Sequence, residues 1–335
     1  MIDLRSDTVT RPTEAMLDAM RSAETGDDVY GEDPTVNALE AYAAELTDKQ
    51  AALYLVSGTQ SNLLALLSHC QRGHEYIAGQ SAHTYQFEGG GAAALGGIQP
   101  YTIPFNSKGE LPLEDIKKAI KPDDFHFAVT RLICLENTQA GKVLDMDYLF
   151  SVAALAQKSD LKMHLDGARV FNAAVKQQVP VKEICKHFDT VSICLSKGLG
   201  CPVGSLLVGD AETIQRARRL RKMIGGGMRQ AGVIAAAGLF ALTNNIKRMR
   251  QDHENARKFS DSLSDFEHLR LAEAPQTNMV MLDFSRLHIE QFKQYLTQRD
   301  IRISGNRWVF HQDISTADVE TIIEICRQFE KEQTG

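Results

Sequence analysis

Short apolar runs alternate with stretches that have the apolar spacing of helices along most of the first 245 residues. One run covers residues 51–56, breaks at Ser57, Gly58 and Thr59, and is followed by an apolar helical stretch at residues 63–67. Later runs of the same kind cover residues 132–135, 161–165, 190–195 and 203–208. Strands that alternate with helices need crossover connections, so this pattern predicts an α/β fold with a mostly parallel sheet.

The pattern changes beyond residues 245–250. A long polar helix is predicted at residues 246–263, followed by a strand at 278–284, a helix, a strand around Arg302 and a terminal helix at 316–330. These elements are typical of a smaller α+β unit. We therefore predict a large domain at residues 1–247 and a small C-terminal domain at residues 248–335.

The composition is that of an ordinary globular chain, with 43% hydrophobic and 24% charged residues. The 335 residues carry 37 Lys and Arg against 43 Asp and Glu, which gives a net charge of −6. A net acidic chain is a poor candidate for binding nucleic acid or an anionic membrane surface. The longest apolar stretch, residues 233–242, is too short for a membrane span, which needs ~20 residues.

The six cysteines include no C-x-x-C pair, which argues against a disulfide framework or zinc ribbon and favours a reducing compartment. The first residues carry charges and lack the apolar core of a signal peptide, so we expect a cytoplasmic protein. His69, Cys70 and His74 are close in sequence, but Gly73 interrupts the helix that would align them. We therefore expect no metal site.

Polar residues that could bind a ligand or take part in catalysis lie where the predicted strands end. In a parallel sheet the carboxyl ends of the strands share one edge, and ligands bind there. The residues at these ends are Ser57, Gly58, Thr59, Asp166, Arg169, Ser196 and Lys197. The free N–H groups of a helix that starts at Gly58 suit a phosphate, although a capped turn without a ligand is equally ordinary.

Asp166 and Lys197 indicate a functional site only when they are considered together. Alone, Lys197 is most simply a lysine that emerges into solvent, and Asp166 most simply caps the next helix. Together they end two successive apolar runs, which brings a carboxylate and an amine to one sheet edge. Pyridoxal phosphate enzymes attach their cofactor to a lysine and hold its ring nitrogen with an acid, so the pair indicates such a site.

Two histidines and one basic run are further candidates. His83 precedes a glycine-rich stretch and could stack on a flat ring or move a proton, and His126 stands between two phenylalanines. For His126 a packed or surface histidine is the simpler interpretation. Basic residues at 216–222 precede three glycines and Arg229. The simpler interpretation is a solvated helix face. The alternative is a glycine turn that offers Lys222 or Arg229 to an anion across a subunit interface.

The whole chain resembles the low-specificity L-threonine aldolases, which are fold-type I (aspartate aminotransferase-like) pyridoxal phosphate enzymes. The resemblance rests on motifs spread over nearly the full length. They are Asp3-Leu4-Arg5-Ser6-Asp7-Thr8-Val9-Thr10, Gly26-Asp27-Asp28-Val29-Tyr30-Gly31, Ser57-Gly58-Thr59-Gln60-Ser61-Asn62, Asp166-Gly167-Ala168-Arg169, Ser196-Lys197-Gly198-Leu199 and Gly225-Gly226-Gly227-Met228-Arg229.

The resemblance implies roles in cofactor binding. Lys197 would be covalently attached to pyridoxal 5'-phosphate, Asp166 would pair with the ring nitrogen, Arg169 would approach the ring hydroxyl, and His83 would stack on the ring. The phosphate would be held by Gly58 and Thr59, with Lys222 and Arg229 supplied by a neighbouring subunit. The family also implies a homotetramer, built as a dimer of dimers with shared active sites.

The resemblance implies an activity as well. Ser6, Arg169 and Arg307 would bind the carboxylate of a β-hydroxy amino acid, and threonine or allo-threonine would be cleaved to glycine and acetaldehyde. His83 or His126, directly or through water, would take the β-hydroxyl proton. Transamination or β-elimination on the same Lys197 and Asp166 is an alternative, and so is a non-catalytic relative that binds a metabolite or partner.

The sequence departs from the family pattern at two places. Gln139 and Ala140 stand where the family commonly has His and Asn, and Trp308 and Phe310 stand where Leu and Thr are more frequent. Both departures concern the choice of substrate side chain and leave the cofactor unaffected.

Overall fold

The computed structural model describes residues 1–334. Its strands are β1 Ile2–Asp3, β2 Ala51–Leu55, β3 His74–Gly79, β4 Gln99–Ile103, β5 Val129–Glu136, β6 Lys162–Asp166, β7 Thr190–Cys194, β8 Ser205–Gly209, β9 Arg270–Glu273, β10 Met279–Asp283, β11 Ile301–Arg302 and β12 Arg307–Val309. Its α-helices are α1 Glu14–Arg21, α2 Pro34–Thr47, α3 Gly58–His69, α4 His83–Gln86, α5 Gly91–Gly96, α6 Leu113–Ala119, α7 Met146–Lys158, α8 Val170–Gln177, α9 Val181–Cys185, α10 Ala211–Met223, α11 Gly232–Asn244, α12 Met249–Ser262, α13 Ile289–Thr297 and α14 Thr316–Thr334.

A seven-stranded sheet forms the centre of the larger part, in the order β2-β8-β7-β6-β5-β3-β4. Five neighbouring strands pair in parallel, namely β7, β6, β5, β3 and β4. Strand β8 runs antiparallel to both of its neighbours, β2 and β7. The predicted α/β fold with a mostly parallel sheet is therefore confirmed. The carboxyl ends of β6 and β7 lie side by side, and the residues that follow them share one edge.

A second, smaller assembly consists of the antiparallel sheet β12-β10-β9 with α12, α13 and α14 around it. Trp308, Phe259, Phe292 and Phe310 are buried together in its core. Leu4 belongs to the same core, because the parallel pair of β1 and β11 brings the start of the chain here. The strands and helices predicted after residue 245 are present, and the division of the chain at residue 247 stays a prediction.

Helix starts show why the chain turns where it does. Asp33 accepts hydrogen bonds from the backbone N–H groups of Thr35 and Val36, and Pro34 occupies the first position of α2. At α3 the Ser57 hydroxyl plays the same part for Gln60. Within residues 1–334, no helix combines the length and the apolar character that crossing a bilayer requires.

Candidate active site

Asp166 is the last residue of β6 and is almost fully buried. Asn62 Nδ2 donates to its Oδ2 at 2.9 Å, and the backbone N–H of Ala168 donates to its Oδ1 at 3.1 Å. Both partners are neutral, and no lysine or arginine of the described chain forms an ion pair with Asp166. A buried carboxylate with only neutral partners fits a ligand that brings its own positive charge, such as a protonated ring nitrogen.

The start of α3 provides an anion cradle next to this acid. Ser57 Oγ accepts the N–H of Gln60 at 3.1 Å, which leaves the N–H groups of Gly58 and Thr59 without a partner in the helix. Asn62, one turn further along α3, is the residue that reaches Asp166. The phosphate cradle and the ring-nitrogen acid predicted from the sequence therefore lie in one site.

His83 begins α4 and is held by two carboxylates. Its Nδ1 lies 2.8 Å from Glu88 Oε1, and its backbone N–H donates to Glu136 Oε2 at 3.0 Å. The ligand atoms of His83, Glu88 and Asp166 all lie within 4.8 Å of one another. The bond to Glu88 raises the pKa of His83 against the opposing effect of burial. His83 therefore stands beside Asp166, with Nε2 left for a ligand.

Glu88 and Glu136 add two buried acids to the site. Burial raises the pKa of Glu136 to about 7, and the charge of Asp166 acts in the same direction. Burial also raises the pKa of Glu88, which the bond from His83 partly offsets. Glu136 and Asp166 are register partners on adjacent strands, which explains their mutual influence.

The predicted carboxylate-binding residues gather around Asp7. Arg169 directly precedes α8 and donates from Nε and Nη2 to the two oxygens of Asp7, at 2.7 and 2.6 Å. Ser6 is the neighbour of Asp7 in the chain, and its hydroxyl accepts the N–H of Thr8 at 3.2 Å. Burial lowers the pKa of Arg307, and the nearby Arg169 charge adds to this effect. Ser6, Arg169 and Arg307 therefore lie in one region.

Lys197 follows β7, and its charge acts on a member of each of these two groups of residues. Burial raises the pKa of Asp7, but Arg169 and then Lys197 outweigh it and hold that pKa below its usual range. The charge of Lys197 also acts on the pKa of His83, after the larger effects of Glu88 and burial. The lysine amine is thus close to both the carboxylate region and the predicted stacking residue.

Lys222 and Arg229 are exposed in the single chain, on either side of the glycine turn at residues 225–227. Arg229 Nη1 pairs with Asp27 at 2.8 Å. The turn packs on α3, because a Cβ at Gly226 would stand 2.2 Å from Gln60 Nε2. Their part in holding a phosphate across a subunit interface stays a prediction.

His126 lies apart from the other predicted site residues within one chain, and its part in the chemistry stays a prediction. Its ring is exposed and bonds Asp124 at 2.7 Å, just before β5 begins at Val129. Asp166 lies at the other end of the neighbouring parallel strand, so the length of β5, roughly 20 Å or more, separates the two. The structure does not bring His126 to the site within one chain, and any part in the chemistry would need a second chain.

The departures from the family pattern have different positions. Trp308 and Phe310 point into the core of the smaller assembly, where both stack against Phe259. Both are fully buried there, and the expectation that they affect side-chain choice stays a prediction. Gln139 and Ala140 form a turn just beyond β5, with Ala140 in a left-handed backbone conformation, and their effect on specificity stays a prediction.

Sequence reasoning missed Asp7, Asn62 and Glu88 as members of the site. Glu136 carried a usable signal, because it follows an apolar run in the same way as Asp166. Glu88 and Asn62 lie in helical or loop segments, and nothing in their local sequence shows which strand end they face.

A buried acid with neutral partners, an anion cradle and a lysine at adjacent strand ends fit the ring nitrogen, phosphate and aldehyde of pyridoxal phosphate. The fold and the site define a fold-type I pyridoxal phosphate enzyme.

Comparison with known proteins gives the family. The family model described as beta-eliminating lyase matches residues 3–286. The low specificity L-threonine aldolase of Escherichia coli K12 is 51% identical over 98% of this chain and 99% of its own. The probable low-specificity L-threonine aldolase 2 of Arabidopsis thaliana is 44% identical over 96% of this chain and 95% of its own. The solved Leishmania major threonine aldolase superposes with a TM-score of 0.85 at 20% identity, over 98% of this chain and 99% of that one. The chain belongs to the low-specificity L-threonine aldolase family.

Proposed function

We propose that this protein cleaves L-threonine and L-allo-threonine, and related β-hydroxy amino acids, between Cα and Cβ, releasing glycine and an aldehyde. The observation that carries the proposal is that Arg169 and Arg307 lie around Asp7, whose pKa also responds to the charge of Lys197. A substrate carboxylate bound there places the amino acid with its amine toward the lysine.

Bound pyridoxal phosphate supplies an electron sink for a bond at Cα that stands perpendicular to its ring. Asp166 keeps a proton on the ring nitrogen, which strengthens that sink. Arg307 and Arg169 hold the carboxylate and limit rotation, so that the Cα–Cβ bond takes the perpendicular position. His83 Nε2 takes the β-hydroxyl proton, directly or through water, because Nδ1 is occupied by Glu88.

The identity of the products tests this proposal. Protein loaded with pyridoxal phosphate is incubated with L-threonine or L-allo-threonine, and acetaldehyde, glycine and keto acids are measured separately. Equal amounts of acetaldehyde and glycine are expected from both substrates. A keto acid as the main product would instead support transamination or elimination, and the absence of any product would support a binding protein.

We also infer a homotetramer, a dimer of dimers, from exposed apolar side chains near the site. Tyr30, Phe87 and Met223 are each more than half exposed, and Arg229 lies over the ring of Tyr30. Large apolar side chains exposed in a single chain are often covered at a subunit interface. Light scattering after gel filtration should give four times the 37.1 kDa of the chain, and a monomer would contradict the inference.

We place the protein in the cytoplasm. All six cysteines are unpaired and buried, as suits a reducing compartment. Fractionation of the source cells with an antibody should recover it with cytosolic markers.

A further inference from the structure

Asp7 is a fully buried acid at the edge of the proposed substrate site. It lies in the single turn Asp7–Val9, which Ser6 caps through its hydroxyl. Thr10 Oγ1 lies 3.0 Å from the backbone oxygen of Asp7 and 3.1 Å from that of Lys197. The backbone that carries Asp7 is therefore tied directly to the loop of the proposed cofactor lysine.

The carboxylate of Asp7 occupies two of the five N–H groups of Arg169. Nε and Nη2 bond separate oxygens at 2.7 and 2.6 Å, which fixes the plane of the guanidinium. Both N–H groups of Nη1 and the second N–H of Nη2 remain available. Because the two opposite charges are buried together, the pair contributes little net attraction for an incoming anion.

Arg307, unlike Arg169, has no carboxylate partner in the described chain that fixes its guanidinium. It belongs to β12, is only partly shielded from water, and forms no ion pair within residues 1–334. Arg169 and Asp7 are both close enough to influence its pKa. Its guanidinium is therefore free to turn and to meet a carboxylate with two nitrogens.

We propose that Asp7 is a positioning residue of the substrate site: it locks Arg169 so that the remaining N–H groups of Nη1 and Nη2 meet the substrate carboxylate at a fixed angle, while Arg307 supplies the net attraction. This inference rests on the proposed function. It divides two tasks between the arginines, since Arg307 captures the carboxylate and Arg169, held by Asp7, sets its angle.

The proposal predicts that loss of Asp7 affects turnover more than binding. In Asp7→Asn the Arg169 guanidinium can turn, but Arg307 still attracts the carboxylate. Because a small misplacement of a reacting group can cost about 100-fold in rate, we expect kcat for L-threonine to fall by about 30-fold or more. KM for L-threonine, and the affinity for glycine measured by cofactor absorbance, should change by no more than about threefold.

A double-mutant cycle shows whether Asp7 acts through Arg169. Asp7→Asn, Arg169→Lys and the double variant are compared as holoenzymes for kcat. If Asp7 works only by orienting Arg169, the double variant loses at most about twofold more than Arg169→Lys alone, since residues that act as one unit are not additive. Loss in the double variant equal to the product of the single losses would overturn the proposal.

Glu75→Gln is the matched control for removing a buried acid. Glu75 is also fully buried and accepts from Lys121 and Thr130, but it lies near the amino end of β3, away from the site. Its unfolding temperature should fall while kcat stays unchanged. A loss of kcat in this control as large as that in Asp7→Asn would assign the effect to general destabilisation.

The proposal can still be tested if Asp7→Asn loses the cofactor or if the wild type shows no aldolase activity. If Asp7→Asn does not bind cofactor, Asp7→Glu replaces it: the longer acid keeps the charge but displaces the guanidinium, and wild-type kcat in that variant rejects the positioning role. If the wild type releases no acetaldehyde, the proposed function fails. Glycine affinity then carries the test, and a loss of more than about tenfold in Asp7→Asn would refute the division of tasks, since about tenfold corresponds to a whole lost contact.

Discussion

Asn62 shows how a single side chain organises the acids of this site. Its Nδ2 donates to both Glu88, at 2.8 Å, and Asp166, at 2.9 Å, while its Oδ1 lies 3.1 Å from His164 Nε2. Burial lowers the pKa of His164 to about 3, so that ring stays neutral and can serve as a fixed donor. One neutral amide thereby holds both carboxyl groups close together beside His83.

Lys197 is the residue whose amine no neighbour can replace. Lys197→Ala should abolish acetaldehyde release and the borohydride-reducible absorbance of bound cofactor, while circular dichroism stays that of the wild type. Lys186→Ala, which removes an exposed lysine paired with Glu183, serves as the control and should keep full activity. Near-normal turnover in Lys197→Ala would refute the assignment of the cofactor lysine.

Glu88 should control the pH at which His83 becomes a base. Its bond raises the pKa of His83, so the neutral imidazole is reached only at higher pH. Glu88→Gln removes that effect and lets the pKa of His83 fall. The acid limb of kcat/KM should therefore move to lower pH.

Glu330→Gln is the control for this shift. Glu330 bonds His268 Nδ1 at 3.1 Å in the smaller assembly, so the variant disturbs an acid–histidine pair remote from the site. Its stability should decrease while the acid limb keeps its position. If the limb also stays in place in Glu88→Gln, a group other than His83 takes the proton.

At the scale of elements, the helix start at α3 links stability to cofactor binding. Ser57→Ala removes the cap of α3, and loss of a cap typically costs about 1 kcal/mol. The first turn would then hold Gly58 and Thr59 less firmly, and the affinity for pyridoxal phosphate should fall by about fivefold, close to the equilibrium equivalent of that energy. Absorbance titration of the apoenzyme measures this affinity.

Asp145→Ala provides a matched comparison for Ser57→Ala. Asp145 caps α7 by accepting the N–H of Asp147 at 2.8 Å, and α7 is close to α3 in length. The two variants should lose similar amounts of unfolding free energy, and cofactor affinity should fall only in Ser57→Ala. Equal affinities in both variants would mean that the start of α3 does not hold the phosphate.

Element boundaries explain which parts of the site could be predicted from the sequence. Asp166 and Lys197 were found because they directly end apolar runs, and that signal survives an error of a residue or two. β3 and β4 were missed because a histidine, a glutamate and a proline interrupt their apolar pattern. The sequence did not show that His126 lies far from these residues within one chain, because that distance depends on where β5 begins, three residues later.

At the scale of the whole molecule, the N-terminal segment connects the two hydrophobic cores. The backbone N–H of Leu4 donates to Arg302 of β11, and its carbonyl accepts from Val309 of β12. Two and three residues later, Ser6 and Asp7 reach the site. The segment thus passes beside the strand that carries Arg307, and the carboxylate-binding residues depend on how firmly Leu4 is seated in the smaller core.

Leu4→Ala tests this dependence against Leu296→Ala, which truncates an equally buried leucine of the same core in α13. Both variants should lose about 2–5 kcal/mol of unfolding free energy, the usual effect of such a cavity. At a temperature where both are folded, only Leu4→Ala should also lose kcat for L-threonine, by roughly tenfold, because Ser6 and Asp7 lose their anchor and reacting groups tolerate little misplacement. If Leu296→Ala loses as much kcat, loosening of the core as a whole is responsible, and the N-terminal segment has no separate role in holding the substrate.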